Sequence, residues 1–138
     1  MGPEPLIRPM RDADADAVAR IQSAAGEASQ WDPRGYVPFE STVLELDGHV
    51  AAFLVIRQTA PDEAEILNIA VDPAHRRHGL ARRLLAAAFR QPKTFFLEVR
   101  ESNTVAQALY RSLGFTECGR RPGYYRQPEE AAILMRRD

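Results

Sequence analysis

The residues best equipped for chemistry fall in two stretches. The first is 69–85, IAVDPAHRRHGLARRLL, which reads as a strand, a loop and the start of a helix. The loop holds Arg76, Arg77, His78 and Gly79, and the helix opens with Leu80, Ala81, Arg82 and Arg83. A helix start leaves backbone N–H groups unpaired and carries partial positive charge. A glycine there admits a bulky anion, and flanking arginines add charge and planar donors. This is the design of a phosphate or pyrophosphate cradle. It is not a Walker loop, since the chain has no GxxxxGK[ST], and a single glycine does not make a dinucleotide fingerprint. The competing reading is a surface helix with solvated arginines.

The second stretch is 96–115, FLEVRESNTVAQALYRSLGF. Glu98 lies inside an apolar strand, one residue from its end. It reads either as an ion-pair partner on the sheet surface or as a general base acting directly or through water. Asn103 and Tyr110 are seven residues apart, hence on nearly one helix face. Tyr110 is a core or edge aromatic, or a proton donor to a leaving group if its hydroxyl reaches the strand end beside Glu98.

Other chemistries find little support. His75 and His78 sit in a loop without a Cys or carboxylate pair to complete a metal set, so no metal is expected. GxSxG is absent. Cys118 is the single cysteine, which excludes an internal disulfide, and it reads as a small apolar filler. Arg120, Arg121, Tyr124, Tyr125 and Arg126 interleave base and aromatic, as some RNA binders do, but they also suit a loop packed on the sheet. The 138 residues are 45% hydrophobic and 27% charged, with a net charge of −1. No whole-protein field would draw such a chain to nucleic acid or an anionic membrane. The longest apolar runs are far shorter than the roughly 20 residues of a membrane span. The start, MGPEPLIRP, lacks the pattern of a secretory signal. A cytoplasmic single domain over residues 1–138 is expected.

The elements that must position these residues follow from the punctuation. Leu6–Met10 reads as a strand and Ala13–Ala25 as a helix, with Asp12, Asp14 and Asp16 at its start, where the dipole favours them. Ser29–Ser41 reads as a loop or broken helix. Thr42–Leu46 and Val50–Arg57 form a hairpin through Asp47-Gly48. Ala64–Val71 is a strand and Gly79–Phe89 a helix whose Leu80, Leu84, Leu85 and Ala88 share a face. Thr94–Val99 is a buried-type strand. Asn103–Leu113 is a helix capped by Ser102 or Asn103 and stopped by Gly114. Phe115–Cys118, a Gly/Pro break and Ala131–Met135 end the chain. The order β-α-β-β-β-α-β-α-β-β gives an α/β mixed sheet with a parallel, right-handed crossover from Ala64 to Val99.

Arg76-x-x-Gly79-x-Ala81, after LNIAVDP and before an apolar helix, resembles the acetyl-CoA motif Q/R-x-x-G-x-G/A of the GCN5-related N-acetyltransferase (GNAT) family. The element order matches that fold, whose central parallel strands splay. LEVRESN, ALYRSLGF and RRPGYY resemble the branch of bacterial ribosomal-protein-alanine N-acetyltransferases, which acetylate a protein N-terminal amine. The resemblance implies that Ile69, Ala70 and Val71 pair through their backbone with the pantetheine arm. It implies that Arg77, His78, Gly79, Leu80, Ala81 and Arg82 hold the pyrophosphate, and that Asn103 contacts the cofactor. It makes Glu98 the base and Tyr110 the acid. Acceptor contacts are implied for Trp31, Tyr124 and Tyr125. The surroundings of Trp31, WDPRGYVPF, and the Pro-Gly of the late loop depart from the branch's pattern.

The implied reaction suits these residue types. An α-amine has a pKa of about 8 and must lose a proton before it attacks the thioester. A glutamate accepts that proton, a backbone N–H steadies the oxyanion, and a phenol near pKa 10 protonates the departing thiolate. Direct transfer in a ternary complex is expected. The alternatives are acetylation of a small amine (an amino acid, polyamine or aminoglycoside) and a non-catalytic module that binds CoA or RNA.

Overall fold

The computed structural model describes residues 4–25 and 30–138. Met1–Pro3 of the expected leader-free start and Ser29 of the expected loop lie outside them. Seven strands form one mixed sheet in the order β1-β2-β3-β4-β5-β7-β6. They are β1 (Leu6–Pro9), β2 (Glu40–Leu46), β3 (His49–Ala60), β4 (Glu63–Val71), β5 (Thr94–Arg100), β6 (Thr116–Tyr125) and β7 (Glu130–Arg137), with helices α1 (Ala15–Ala24), α2 (Leu80–Ala88) and α3 (Thr104–Ser112). This is the expected order of strands and helices. The chain divides into two compact units, the first of residues up to Gln58 with Leu67–Gln91, the second of Thr59–Ile66 with Pro92–Asp138. Strand β4 supplies residues to both.

In the first unit β1 pairs antiparallel with β2, and β2 with β3. The β2–β3 turn places Asp47 at φ 53° and Gly48 at φ 80°, the two left-handed residues of a type I′ hairpin. Val18 and Ile21 of α1 pack with Tyr36, Val43, Phe53, Val55 and Ala70 into one apolar cluster. Helix α2 lies against β2 and buries Leu80, Leu84 and Leu85. Asp14 serves less as a dipole charge than as a clamp. Both its oxygens accept from Arg8 at 2.8 Å, and Oδ2 also accepts the Arg11 N–H at 2.8 Å. Those hydrogen bonds, led by the guanidinium, hold its carboxyl below the usual range, with burial opposing. The expected loop or broken helix before β2 is a 3-10 turn, Pro33–Tyr36, opened by Asp32, whose side chain accepts the Arg34 N–H.

In the second unit β4 pairs parallel with β5 only from Glu63–Ile66 against Thr94–Leu97, and the ladder then ends. Strand β5 pairs antiparallel with β7, and β7 with β6. Phe95, Leu97 and Val99 alternate inward and are buried, so Thr94, Phe96, Glu98 and Arg100 share the opposite face. Asn103, rather than Ser102, caps α3 by accepting the Ala106 N–H at 3.1 Å. Gln107 donates to the carbonyls of Arg100 and Glu101 and ties α3 to the end of β5.

Two expectations fail on β6. The Gly/Pro break does not end the strand, which runs to Tyr125, because register shifts between Glu117 and Gly119 and between Arg121 and Tyr125 absorb the irregular residues. Pro122 is tolerated because β6 is the edge strand. Cys118 is exposed and not a core filler, since it is the extra residue of the first bulge.

Candidate active site

Each unit carries one region of the expected site. In the first, β4 runs into the turn Asp72–Gly79. The Asp72 side chain accepts the Ala74 N–H at 3.0 Å and starts a 3-10 turn over Pro73–His75. Arg77 then takes φ 67° and Gly79 φ 72°, and Gly79 is the N-cap of α2. A Cβ on Gly79 would meet nothing within 4 Å. The glycine is therefore required by its left-handed backbone, and the space above it is open for a ligand. Leu80 is buried, so only its backbone can serve an anion, while Arg77, His78 and Arg82 are exposed. The first turn of a helix directs its backbone N–H groups outward, and an anionic diphosphate would suit them here.

The turn also borders a cleft of about 850 Å³ lined by Arg20, His49, Asp72, His75, His78 and Arg83 among others. It gathers all three histidines of the chain. Among the described residues no group of three or more His, Cys, Asp or Glu side chains is placed to hold a metal ion.

The strand before the turn carries side chains that the sequence reading missed. Ala70 is buried in the core, and Ile69 and Val71 are half-buried. The Ile69 N–H donates to Asn68 Oδ1 at 3.0 Å. Asn68 Nδ2 lies 3.0 Å from Gln22 Oε1 and 3.1 Å from the Tyr36 hydroxyl. The Tyr36 hydroxyl donates to Gln22 Oε1, and Gln22 Nε2 donates to the Trp31 carbonyl at 2.6 Å. Burial pushes the Tyr36 phenol up. Trp31 is 51% exposed and sits edge-on to Tyr36, with ring centroids 6.4 Å apart. The available signal was Asn68 itself, a polar residue in phase with buried Ala64, Ile66 and Ala70.

The second region is made of side chains on β5, β6 and α3. Glu98 Oε1 lies 3.5 Å from Arg121, and the carboxylate is 18% exposed. The ion-pair reading of Glu98 and its accessibility to a small ligand therefore hold together. Tyr124 and Tyr125 lie at the end of β6, not in a loop, with ring centroids 5.1 Å apart. The negative Glu98 carboxylate, as a charge and as a hydrogen-bond acceptor, raises the Tyr124 phenol. Arg100 covers the Tyr125 ring at 4.3 Å and pairs with Glu130 at 2.9 Å. Burial, then Glu98, pushes Tyr125 up to about 12.

Tyr110 is 7% exposed and sits edge-on to Phe115. Burial, with Tyr125 as the electrostatic neighbour, pushes its phenol up to about 12. That corrects the expected value near 10, and the cause is the dry seat on α3. No hydrogen bond joins Tyr110 to Glu98 among the described residues; Tyr125 is the group that neighbours both electrostatically. Asn103 spends its Oδ1 on the helix cap. Arg120 is engaged by Glu101 and Glu117, and Arg121 by Glu98, so much of the late basic cluster is ion-paired on the sheet.

Residues 8–115 match the model of the Acetyltransferase (GNAT) family. The chain is 45% identical to the [ribosomal protein bS18]-alanine N-acetyltransferase of Escherichia coli (strain K12), covering 94% of both chains. It is 43% identical to the enzyme of that name from Haemophilus ducreyi over 63% of this chain, a match that spans 65% of that relative's length. The crystal structure of the ribosomal-protein-S18-alanine N-acetyltransferase from Escherichia coli superposes with a TM-score of 0.84 at 34% identity, covering 97% of this chain and 93% of that one. The chain belongs to the acetyltransferase (GNAT) family.

Proposed function

We propose that residues 1–138 act as one cytoplasmic catalytic domain that transfers an acetyl group from acetyl-CoA to the N-terminal α-amine of a protein. The near-full-length likeness to the Escherichia coli alanine N-acetyltransferase carries this reading, and a ribosomal protein is the acceptor it favours. Acetyl-CoA, when bound, supplies an activated acyl group and a thiolate leaving group.

The chain's own residues do the rest. The backbone of Ile69, Ala70 and Val71 pairs with the pantetheine arm. The amides of Arg77, His78, Gly79, Leu80, Ala81 and Arg82 take the pyrophosphate, as the open left-handed turn allows. Asn103 offers its amide nitrogen to the cofactor while its oxygen caps α3. Trp31, Tyr124 and Tyr125 face the acceptor. Glu98 takes the amine proton, directly or through water, and exchanges Arg121 for the substrate. Tyr110 stays protonated at any working pH and gives its proton to the thiolate. A phenol at about 12 is a weak acid, but burial that raises the phenol also raises a thiol in the same dry surroundings, which narrows the gap.

The test is mass spectrometry of an acceptor panel incubated with the protein and acetyl-CoA. Peptides with free N-terminal Ala, Ser, Met and Gly stand beside an Nα-blocked lysine peptide, polyamines and aminoglycosides. One added acetyl group confined to free N-termini supports the reading. Acetylation of small amines alone would move the function to a small-molecule acceptor.

A further inference from the structure

The proposed roles use Trp31 and Ile69 but not the buried side chains that connect them. Gln22, Tyr36 and Asn68 are 4%, 2% and 5% exposed. All four amide atoms of the two carboxamides are used. Gln22 Oε1 accepts from Tyr36 and Asn68, Gln22 Nε2 donates to the Trp31 carbonyl, and Asn68 Oδ1 accepts the Ile69 N–H. Ser41 adds a hydrogen bond to the Tyr36 carbonyl at 2.6 Å, and the Tyr36 ring stacks on Phe53. A path of hydrogen bonds thus runs from the amide of Ile69 to the carbonyl of Trp31 inside one unit. Apolar side chains could fill the same volume, but they would leave the Ile69 N–H and the Trp31 carbonyl without these partners. What apolar side chains would not do is fix the position of one backbone segment against another.

We propose that Asn68 is a positioning residue that fixes the Trp31 segment, through Gln22 and Tyr36, against the Ile69 end of β4. It rests on the α-amine reading for the claim that Trp31 meets the acceptor. The consequence is selective: loss of the Asn68 side chain loosens the acceptor wall and leaves the cofactor turn, built on Asp72 and Gly79, in place.

Trp31 is the sole tryptophan, so its fluorescence anisotropy reports the segment without any substrate. Asn68→Ala is expected to lower that anisotropy and raise the KM for an N-terminal peptide about tenfold. Its kcat and its acetyl-CoA affinity should each change less than about threefold, the split expected for lost acceptor placement. Tyr36→Phe keeps the ring and its stacking, and should move both readouts the same way by less. Circular dichroism identifies a variant that does not fold, in which case Tyr36→Phe decides. Unchanged anisotropy in the folded variants, or acetyl-CoA affinity and kcat falling in step with the peptide KM, would overturn the proposal. If the wild type acetylates only small amines, the α-amine reading fails while the anisotropy arm still decides whether Asn68 places Trp31.

Discussion

The turn Asp72–Leu80 and the face shared by β5 and the end of β6 are built by opposite means. The turn works through backbone: two left-handed residues, one capping carboxylate and the start of α2. Its side chains are largely exposed or, like Leu80, spent on the core. The β5–β6 face works through side chains: Glu98, Arg121, Tyr124 and Tyr125, brought together by strand pairing and two bulges. A backbone site depends on a few torsions, and its cost is conformational. A side-chain site depends on register, and here Glu98 raises the proton affinity of Tyr124 and Tyr125. Binding and proton transfer should therefore respond separately to mutation.

The largest expected separation is at Tyr110. Tyr110→Phe keeps the packing on Phe115 and removes only the hydroxyl, so kcat should fall about 10²–10⁴-fold with the melting temperature nearly unchanged. Glu98→Gln should lower kcat about 10²-fold. It should also lower the Tyr124 pKa, because the Glu98 charge is the main cause of that rise, and ultraviolet titration of the phenols reads it. A drop in rate without a change in Tyr124 would separate catalysis from the electrostatic cluster.

Alkaline pH supplies the third contrast. Tyr110 ionises at 10.0 when unfolded and about 12 when folded, so the folded state holds its proton more tightly. Stability from this group is complete below pH 10 and is lost as pH rises from 10 to 12, by about 3 kcal/mol. Urea unfolding at stepped pH measures the loss, and Tyr110→Phe should blunt it.

The smallest effects belong to the turn. Gly79→Ala places a side chain at φ 72°, a strain of about 1–2 kcal/mol, and should weaken acetyl-CoA binding about tenfold by calorimetry while leaving kcat close to wild type. Arg77→Gly, at φ 67°, should change stability by less than about 1 kcal/mol, since relief of strain offsets the added freedom of the unfolded chain.

The same contrast explains what could be read from the sequence. Gly79 after a strand and before an apolar helix announces a turn, and Asp47-Gly48 announces a hairpin, because both depend on local torsions. The order of strands and helices followed from periodicity and punctuation. The β6 bulges did not, because Pro122 and Gly123 look like a break until the edge position of the strand is known. Cys118 was misplaced for that reason. Glu98 and Tyr110 stood out by type and by family resemblance, yet the elevated phenol required knowledge of burial. Asn68 went unread because its partners, Gln22 and Tyr36, lie 46 and 32 residues away.

The most direct test of this division is single-turnover acetyl transfer by Tyr110→Phe at saturating acetyl-CoA, with the affinity for acetyl-CoA measured on the same preparation. The account predicts affinity within about twofold of wild type and a rate lower by at least about 10²-fold. A wild-type rate, or a rate that falls only because acetyl-CoA binds more weakly, would contradict it.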